Sequence, residues 1–193
     1  MIEPFFVSKQ QRTFLPTIDK VFDTMVKNEL VTLSDKGKPL NLSDQIHSTT
    51  CDIIFKVTLN IPIEGKKEEK IHIIDTIDHI EKVTTRRVYN PFIWIDEIFY
   101  KTELGKKSVQ MTDRFYSFFD SSVEQILDHN TNEIGSNDLT QLSSSTNFVN
   151  TLMKTGNGKI DSQGISEEAL TMVSAGYETT ATALNWTLFV LGK

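Results

Sequence analysis

The chain has 193 residues, with 20 Lys and Arg against 26 Asp and Glu and a formal net charge of -6. Its basic residues are scattered rather than gathered into a stripe, which argues against nucleic acid as a partner. A single cysteine, Cys51, excludes an internal disulfide and fits a reducing compartment or a cytosol-facing surface.

The opening MIEPFFVSK carries an acidic residue and too short an apolar run for a secretory signal. From there the pattern predicts one helix after another. Pro16 suits the first position of a helix, and Ile18, Val21, Phe22, Met25 and Val26 follow at helical spacing. Gly37 and Pro39 break that pattern, and Asn41 or Ser43 is placed to cap the next helix. That second helix turns Ile46, Thr50, Ile53, Ile54 and Val57 inward until Pro62 and Gly65 end it. The charged GKKEEK reads as an exposed loop. A third helix runs from Ile71 to Arg87 on a stripe of Ile73, Ile74, Ile77 and Ile80, and Asn90-Pro91 stops it.

The segment NPFIWIDEIFY, residues 90–100, is rich in large apolar groups and is expected to enter the core. The alternative is a surface that dips into a membrane, with Trp94 and Tyr100 at the interface. A fourth helix carries Val109, Thr112, Tyr116, Phe119, Val123 and Ile126. Residues 129–146 are polar and read as a surface loop, and a short helix covers Phe148 to Met153. After the turn TGNGKIDSQG, Ser166 is expected to cap a last helix from about 167 to 191, with Glu167 and Glu168 against its positive end.

Most candidate sites have plain explanations. TGNGKIDSQG has the glycine and isoleucine of a calcium loop but lacks its carboxylate ligands, so calcium is rejected. His72, Asp75 and His79 share a helix face, yet nothing supplies a second shell for a metal, and a solvated face explains them. Cys51 in TTCDIIF has no adjacent base and reads as a small buried group. Asn41-Leu-Ser and Asn185-Trp-Thr are formal glycosylation sequons that carry no weight.

The stretch SAGYETTATALNW, residues 174–186, is different. It places a glutamate and three threonines in the most apolar region of the chain, open to three readings: a core helix, a membrane span, or a helix built to distort. The threonines and Asn185 dilute the hydropathy a span requires. Distortion is the productive reading. Threonine hydroxyls bond back to carbonyls three or four residues earlier, and Gly176 stands three before Thr179. Glu178 beside it is costly to bury unless hydrated or paired, which points to proton handling.

Ala175-Gly176-Tyr177-Glu178-Thr179-Thr180 resembles the motif on the long central helix of cytochrome P-450 monooxygenases. Other segments agree in order. QQRTFLPTI is similar to the end of that family's C helix, TTCDIIFKVTL to its E helix, and RRVYNPFIWIDEIFY with LGKK to its F–G region. ALNWTLFVLG looks like the fatty-acid ω-hydroxylase branch. The resemblance implies a mainly α fold, with residues 1–193 forming part of a single P-450 domain. It implies heme, with Glu178 and Thr179 as catalytic proton-relay residues and Ala175, Gly176, Thr179 and Thr180 against the cofactor. It also implies O2, an NADPH-dependent reductase, a small apolar substrate such as a fatty acid or lipophilic xenobiotic, and the cytosolic face of the endoplasmic reticulum membrane. The family's membrane anchor, its Glu-x-x-Arg pair and its cysteine ligand to iron have no counterpart in these residues, so the chain alone is expected to be inactive. Cys51 falls on a helix remote from the ligand position. Val7 and Gln11 stand where tryptophan and arginine meet the heme propionates, with Arg12 one residue out of register. The reading from another class is a non-catalytic helical binding protein, or a decayed gene product, without heme. A tail-anchored membrane protein, held by residues 169–191, is a third. A large apolar patch is expected around Leu184, Leu188 and Leu191.

Overall fold

A computed structural model describes residues 3–31, 41–61, 63, 67–134, 147–156 and 160–193. Among these the secondary structure is helical, without strands. Short helical turns over Glu3–Phe6, Ser8–Gln11 and Arg12–Phe14 lead into α1, Leu15–Thr24, which Pro16 opens and a wide π turn at Met25–Leu30 prolongs. The long elements are α2 (Leu42–Leu59), α3 (Lys67–Tyr89), α4 (Glu103–Ile134), α5 (Phe148–Gly156) and α6 (Ser162–Leu191).

The core gathers around α6. Ile165, Ala169, Val173, Tyr177 and Ala181 form one buried line at a spacing of four, the ridge that a packed helix presents to a partner's groove. That ridge packs most extensively on α2, whose Cys51, Phe55 and Leu59 face it, with Phe115, Phe119 and Val123 of α4 closing the side. Phe55, Phe115 and Phe119 meet edge-on or tilted, with centroids 5.1 Å apart for Phe115–Phe119 and 5.6 Å for Phe55–Phe119.

Several expectations change. On α2, the deepest line is Cys51, Phe55 and Leu59, while Ile53 and Ile54 are half-buried at a cleft. On α4, Phe115 replaces Tyr116 in the core, and both Tyr116 and Val109 are exposed. The spacing of an apolar stripe fixes its period but leaves its phase free by one residue. Val26 and Ile80 are exposed as well.

Helix ends shift for reasons of capping. Asn41 does sit before α2, but its amide donates to the Asp44 carboxylate (2.7 Å) rather than capping the backbone. Ser43 lies inside the helix and accepts from the Asn185 amide of α6 (3.1 Å). The other end of α2 stops at Asn60 (φ 57°), a left-handed cap that asparagine tolerates. Pro62 and Gly65, expected to end it, lie outside the described residues, as do Gly37 and Pro39.

GKKEEK is not all loop: α3 begins at Lys67, with Glu68 and Glu69 in its first turn, where the helix dipole favours acids. Lys70 of that stretch forms a largely buried ion pair with Asp52 of α2 (2.6 Å). α4 continues through Ile134 into the segment read as loop, and residues 135–146 lie outside the described set. For α6 the cap is Asp161, whose carboxylate accepts from the Gly164 N–H (2.9 Å). Ser166 is instead buried in the helix and donates to Asp120 of α4, so Glu167 and Glu168 stand beyond the first turn.

Residues 90–100 overturn the core expectation. Only Phe99 is buried there; Phe92 is 81% exposed, and Trp94, Ile95, Ile98 and Tyr100 are exposed too. Polar ties hold the segment outward. The Arg87 guanidinium donates to Asp96 (2.7 Å) and the Trp94 carbonyl (3.0 Å), and stacks 4.5 Å from the Phe99 ring. Gly105 lets α4 start against this turn: a Cβ there would stand 2.1 Å from the Phe99 carbonyl oxygen.

Candidate active site

The middle of α6 is continuous helix, and the distortion expected there is a set of back-bonds rather than a break. Thr179 donates its hydroxyl proton to the Ala175 carbonyl and Thr180 to that of Gly176, each at 2.9 Å and four residues back rather than three. Such bonds bend helices slightly without interrupting them.

Successive helix positions stand about 100° apart, so the motif divides among faces. Tyr177 points into the core. Ala175 and Thr179 lie almost opposite, exposed, one above the other. Gly176 and Thr180 take a third direction. They line an apolar cleft of about 420 Å³ with Phe5, Phe14, Ile53 and Met172. Gly176 is held close to α2, because a Cβ would meet Ile54 Cδ1 at 2.7 Å. Gln11 also lines this cleft, whereas Val7 and Arg12 are exposed.

Glu178 takes the remaining direction, toward α3, and is half-buried. The nearby Glu81 carboxyl, then burial, then the negative charge of Asp78 push its carboxyl up to about 7. Sequence reasoning found Glu178 but missed Glu81 and Asp78. Their spacing along α3 puts them on one face, yet nothing in the sequence says that this face meets α6.

The other candidates serve the scaffold. His79 shares a hydrogen bond with Ser108 of α4 (2.9 Å), and burial lowers the proton affinity of both His72 and His79. Among the described residues no group of His, Cys, Asp and Glu is arranged to hold a metal ion. Cys51 is fully buried, and desolvation pushes its thiol up to about 12, so it is not available as a thiolate ligand. Among the described residues, no helix is long and apolar enough to cross a membrane, α6 included. The apolar patch on α6 exposes Trp186, Leu188, Phe189, Val190 and Leu191, with Leu184 half-buried.

Heme fits one side of this arrangement. The exposed face of α6 offers a small residue at 175 and an outward hydroxyl oxygen at 179, beside an apolar cleft.

Comparison with known proteins accounts for the pattern. The family model described as Cytochrome P450 matches residues 1–193. "Cytochrome P450 3A9" of Rattus norvegicus is 23% identical over 99% of the chain and 38% of its own length. "Probable cytochrome P450 4ac2" of Drosophila melanogaster is 26% identical over 98% of the chain and 37% of its own length. "Lithocholate 6-beta-hydroxylase" of Mesocricetus auratus is 24% identical over 99% of the chain and 38% of its own length. The chain thus spans under two-fifths of the length of these relatives, which include members of both the 3A and the 4 series. With its mainly α architecture and the acid–threonine turn on its longest apolar helix, the chain belongs to the cytochrome P450 family.

Proposed function

We propose that the protein carrying this chain is a heme-dependent monooxygenase that inserts one atom of O2 into an apolar substrate, with electrons from an NADPH-dependent reductase. The observation that carries this reading is the turn at 175–179. Ala175 and Thr179 share an open face, and the neighbouring carboxyl of Glu178 has its proton affinity raised to about 7. Heme, when bound, supplies the site where dioxygen is activated. The chain's own residues do the rest. Ala175 would leave space beside the bound group, and Gly176 and Thr180, which line the apolar cleft, would help to hold it. Thr179, its proton donated to Ala175, keeps an oxygen free to accept a hydrogen bond from water, while Glu178 holds a proton that can be released at neutral pH. A lipophilic substrate such as a fatty acid or xenobiotic suits the family, and the Mesocricetus auratus relative is named for hydroxylation of lithocholate.

In this reading the 193-residue chain binds heme weakly and is inactive alone, because its one cysteine is buried. The expected result with heme and carbon monoxide is a thiolate-type Soret band from the longer protein and none from the chain. A thiolate-type band from the chain itself overturns the assignment.

The same reading places the protein on the cytosolic face of the endoplasmic reticulum. The exposed Phe92, Trp94, Ile95 and Ile98 support contact with the membrane there. Replacing Phe92 and Trp94 together by serine is expected to weaken binding to phosphatidylcholine vesicles by roughly tenfold or more, since each aromatic buried in lipid is worth over 1 kcal/mol. Unchanged co-sedimentation with vesicles rules out this surface.

A further inference from the structure

The charge of the chain is unevenly placed. Residues 82–107, which are the end of α3, the turn beyond it and the start of α4, hold six Lys and Arg against three Asp and Glu, although the whole chain carries a formal net charge of -6. The rest of the chain is therefore more acidic than the total. The same stretch exposes Tyr89, Phe92, Trp94, Ile95, Ile98 and Tyr100.

Ion pairing decides which of these charges face outward. Arg87 is spent inside the turn, on Asp96, the Trp94 carbonyl and the Phe99 ring, and the Trp94 indole returns a hydrogen bond to the Arg87 carbonyl. Lys106 pairs with Glu103 (3.0 Å). That leaves the exposed Glu97 against Lys82, Arg86, Lys101 and Lys107, which are exposed and make no ion pair among the described residues. Lys82 and Arg86 lie one helical turn apart on α3. Lys107 joins them from α4, because it and Lys82 both act on His79, which its bond to Ser108 (2.9 Å) fixes at the seam of the two helices. The turn itself is firmly tied: Asn90 accepts from the Phe92 N–H (3.2 Å), and the Thr102 hydroxyl donates to the Phe99 carbonyl (2.7 Å).

We propose that this turn prefers membranes with anionic headgroups, its apolar side chains entering the lipid while Lys82, Arg86, Lys101 and Lys107 form a basic collar at headgroup level. This deepens the membrane contact proposed above and rests on it. Apolar area alone does not choose between headgroups, so the preference is what the cations add. Each Lys or Arg held near an anionic surface strengthens binding by about fivefold. The acidic remainder of the chain does not cancel this, since at physiological salt charges more than about 8 Å away are largely screened. Apolar tip and flanking cations match a lipid surface, apolar within and anionic outside, better than they match an acidic protein.

The test is co-sedimentation of the 193-residue chain with vesicles of phosphatidylcholine alone and of phosphatidylcholine mixed with phosphatidylserine. The readout is the ratio of the two affinities, so apolar contributions common to both, including any from the exposed end of α6, cancel. Wild type is expected to bind the anionic vesicles roughly a hundredfold more tightly. Arg86→Gln and Lys101→Gln together are expected to cut that ratio by roughly tenfold, with binding to phosphatidylcholine unchanged. Lys9→Gln and Lys20→Gln, which remove the same charge from exposed positions outside the turn, are expected to leave the ratio as it is. Equal loss from the two pairs makes the preference a matter of overall charge and overturns the collar. If wild type binds both vesicles equally while the Phe92→Ser, Trp94→Ser variant weakens both, the headgroup preference alone is overturned and the cations belong to an acidic protein partner. If that variant weakens neither, the membrane surface itself fails.

Discussion

Phe119→Ala is expected to destabilise the chain by about 3–5 kcal/mol, whereas Tyr116→Ala should cost no more than about 0.5 kcal/mol. Both residues fall on the apolar stripe legible in the sequence of α4. Phe119, however, is wholly buried and touches Phe55, Phe115 and Phe118, while Tyr116 is 49% exposed. Truncating Phe119 removes ring contacts from three directions and leaves a cavity that helices fixed at both ends close only in part. Truncating Tyr116 returns a half-solvated ring to water. Urea denaturation followed by circular dichroism reads the difference as a shift in midpoint at constant slope. Equal losses from the two variants would mean that α4 is rotated from the phase described.

That contrast marks where the sequence stops being informative. Helical period, proline at a first turn and the order of apolar stripes placed α1, α2, α3, α4 and α6 on the chain. The phase of α4 and the deep line of α2 depend on which neighbours cover each side. α2 lies against α6, α4 and α5 together, so residues off its apparent stripe, Cys51 and Phe55, become its most buried. Capping was ambiguous for a local reason. Ser166 has the chemistry of a cap and was read as one, but its long-range bond to Asp120 places it within the helix, and Asp161 caps instead. Residues 90–100 misled because composition measures how apolar a segment is and says nothing of its tethers. Arg87 holds that segment by its backbone and by Asp96, leaving the rings outside.

The candidate site divides the same way. Glu178 and Thr179 stand out as candidates in the sequence because polar residues break a local rule in an apolar helix. Gly176 was legible as a residue with a purpose, but its immediate structural reason is the side chain of Ile54. Glu81 and Asp78 were not legible, since pairing of like charges across two helices leaves no trace in either helix alone. Their effect is on the proton affinity of Glu178: a basic partner would lower it, and the neighbouring carboxyls raise it to about 7.

Thr179→Val in the heme-loaded longer protein is expected to cut product formed per NADPH by roughly tenfold or more, the lower range of what a positioned proton-transfer group contributes. Valine keeps the shape of threonine and removes the hydroxyl, so two losses have to be separated. One is the back-bond to the Ala175 carbonyl, which belongs to helix structure. The other is the oxygen that accepts from water on the open face. Thr171→Val separates them, because Thr171 makes the same bond to the Glu167 carbonyl at 2.9 Å, exposed on the same helix and two turns from the site. If both variants melt alike and only Thr179→Val uncouples NADPH consumption from product, the hydroxyl acts through its position over the cofactor. If Thr171→Val uncouples the reaction equally, the effect travels through helix geometry and Thr179 has no chemical role of its own. A tightly coupled Thr179→Val enzyme with an unaltered solvent isotope effect would remove the threonine from proton delivery altogether, leaving Glu178 to act through water alone.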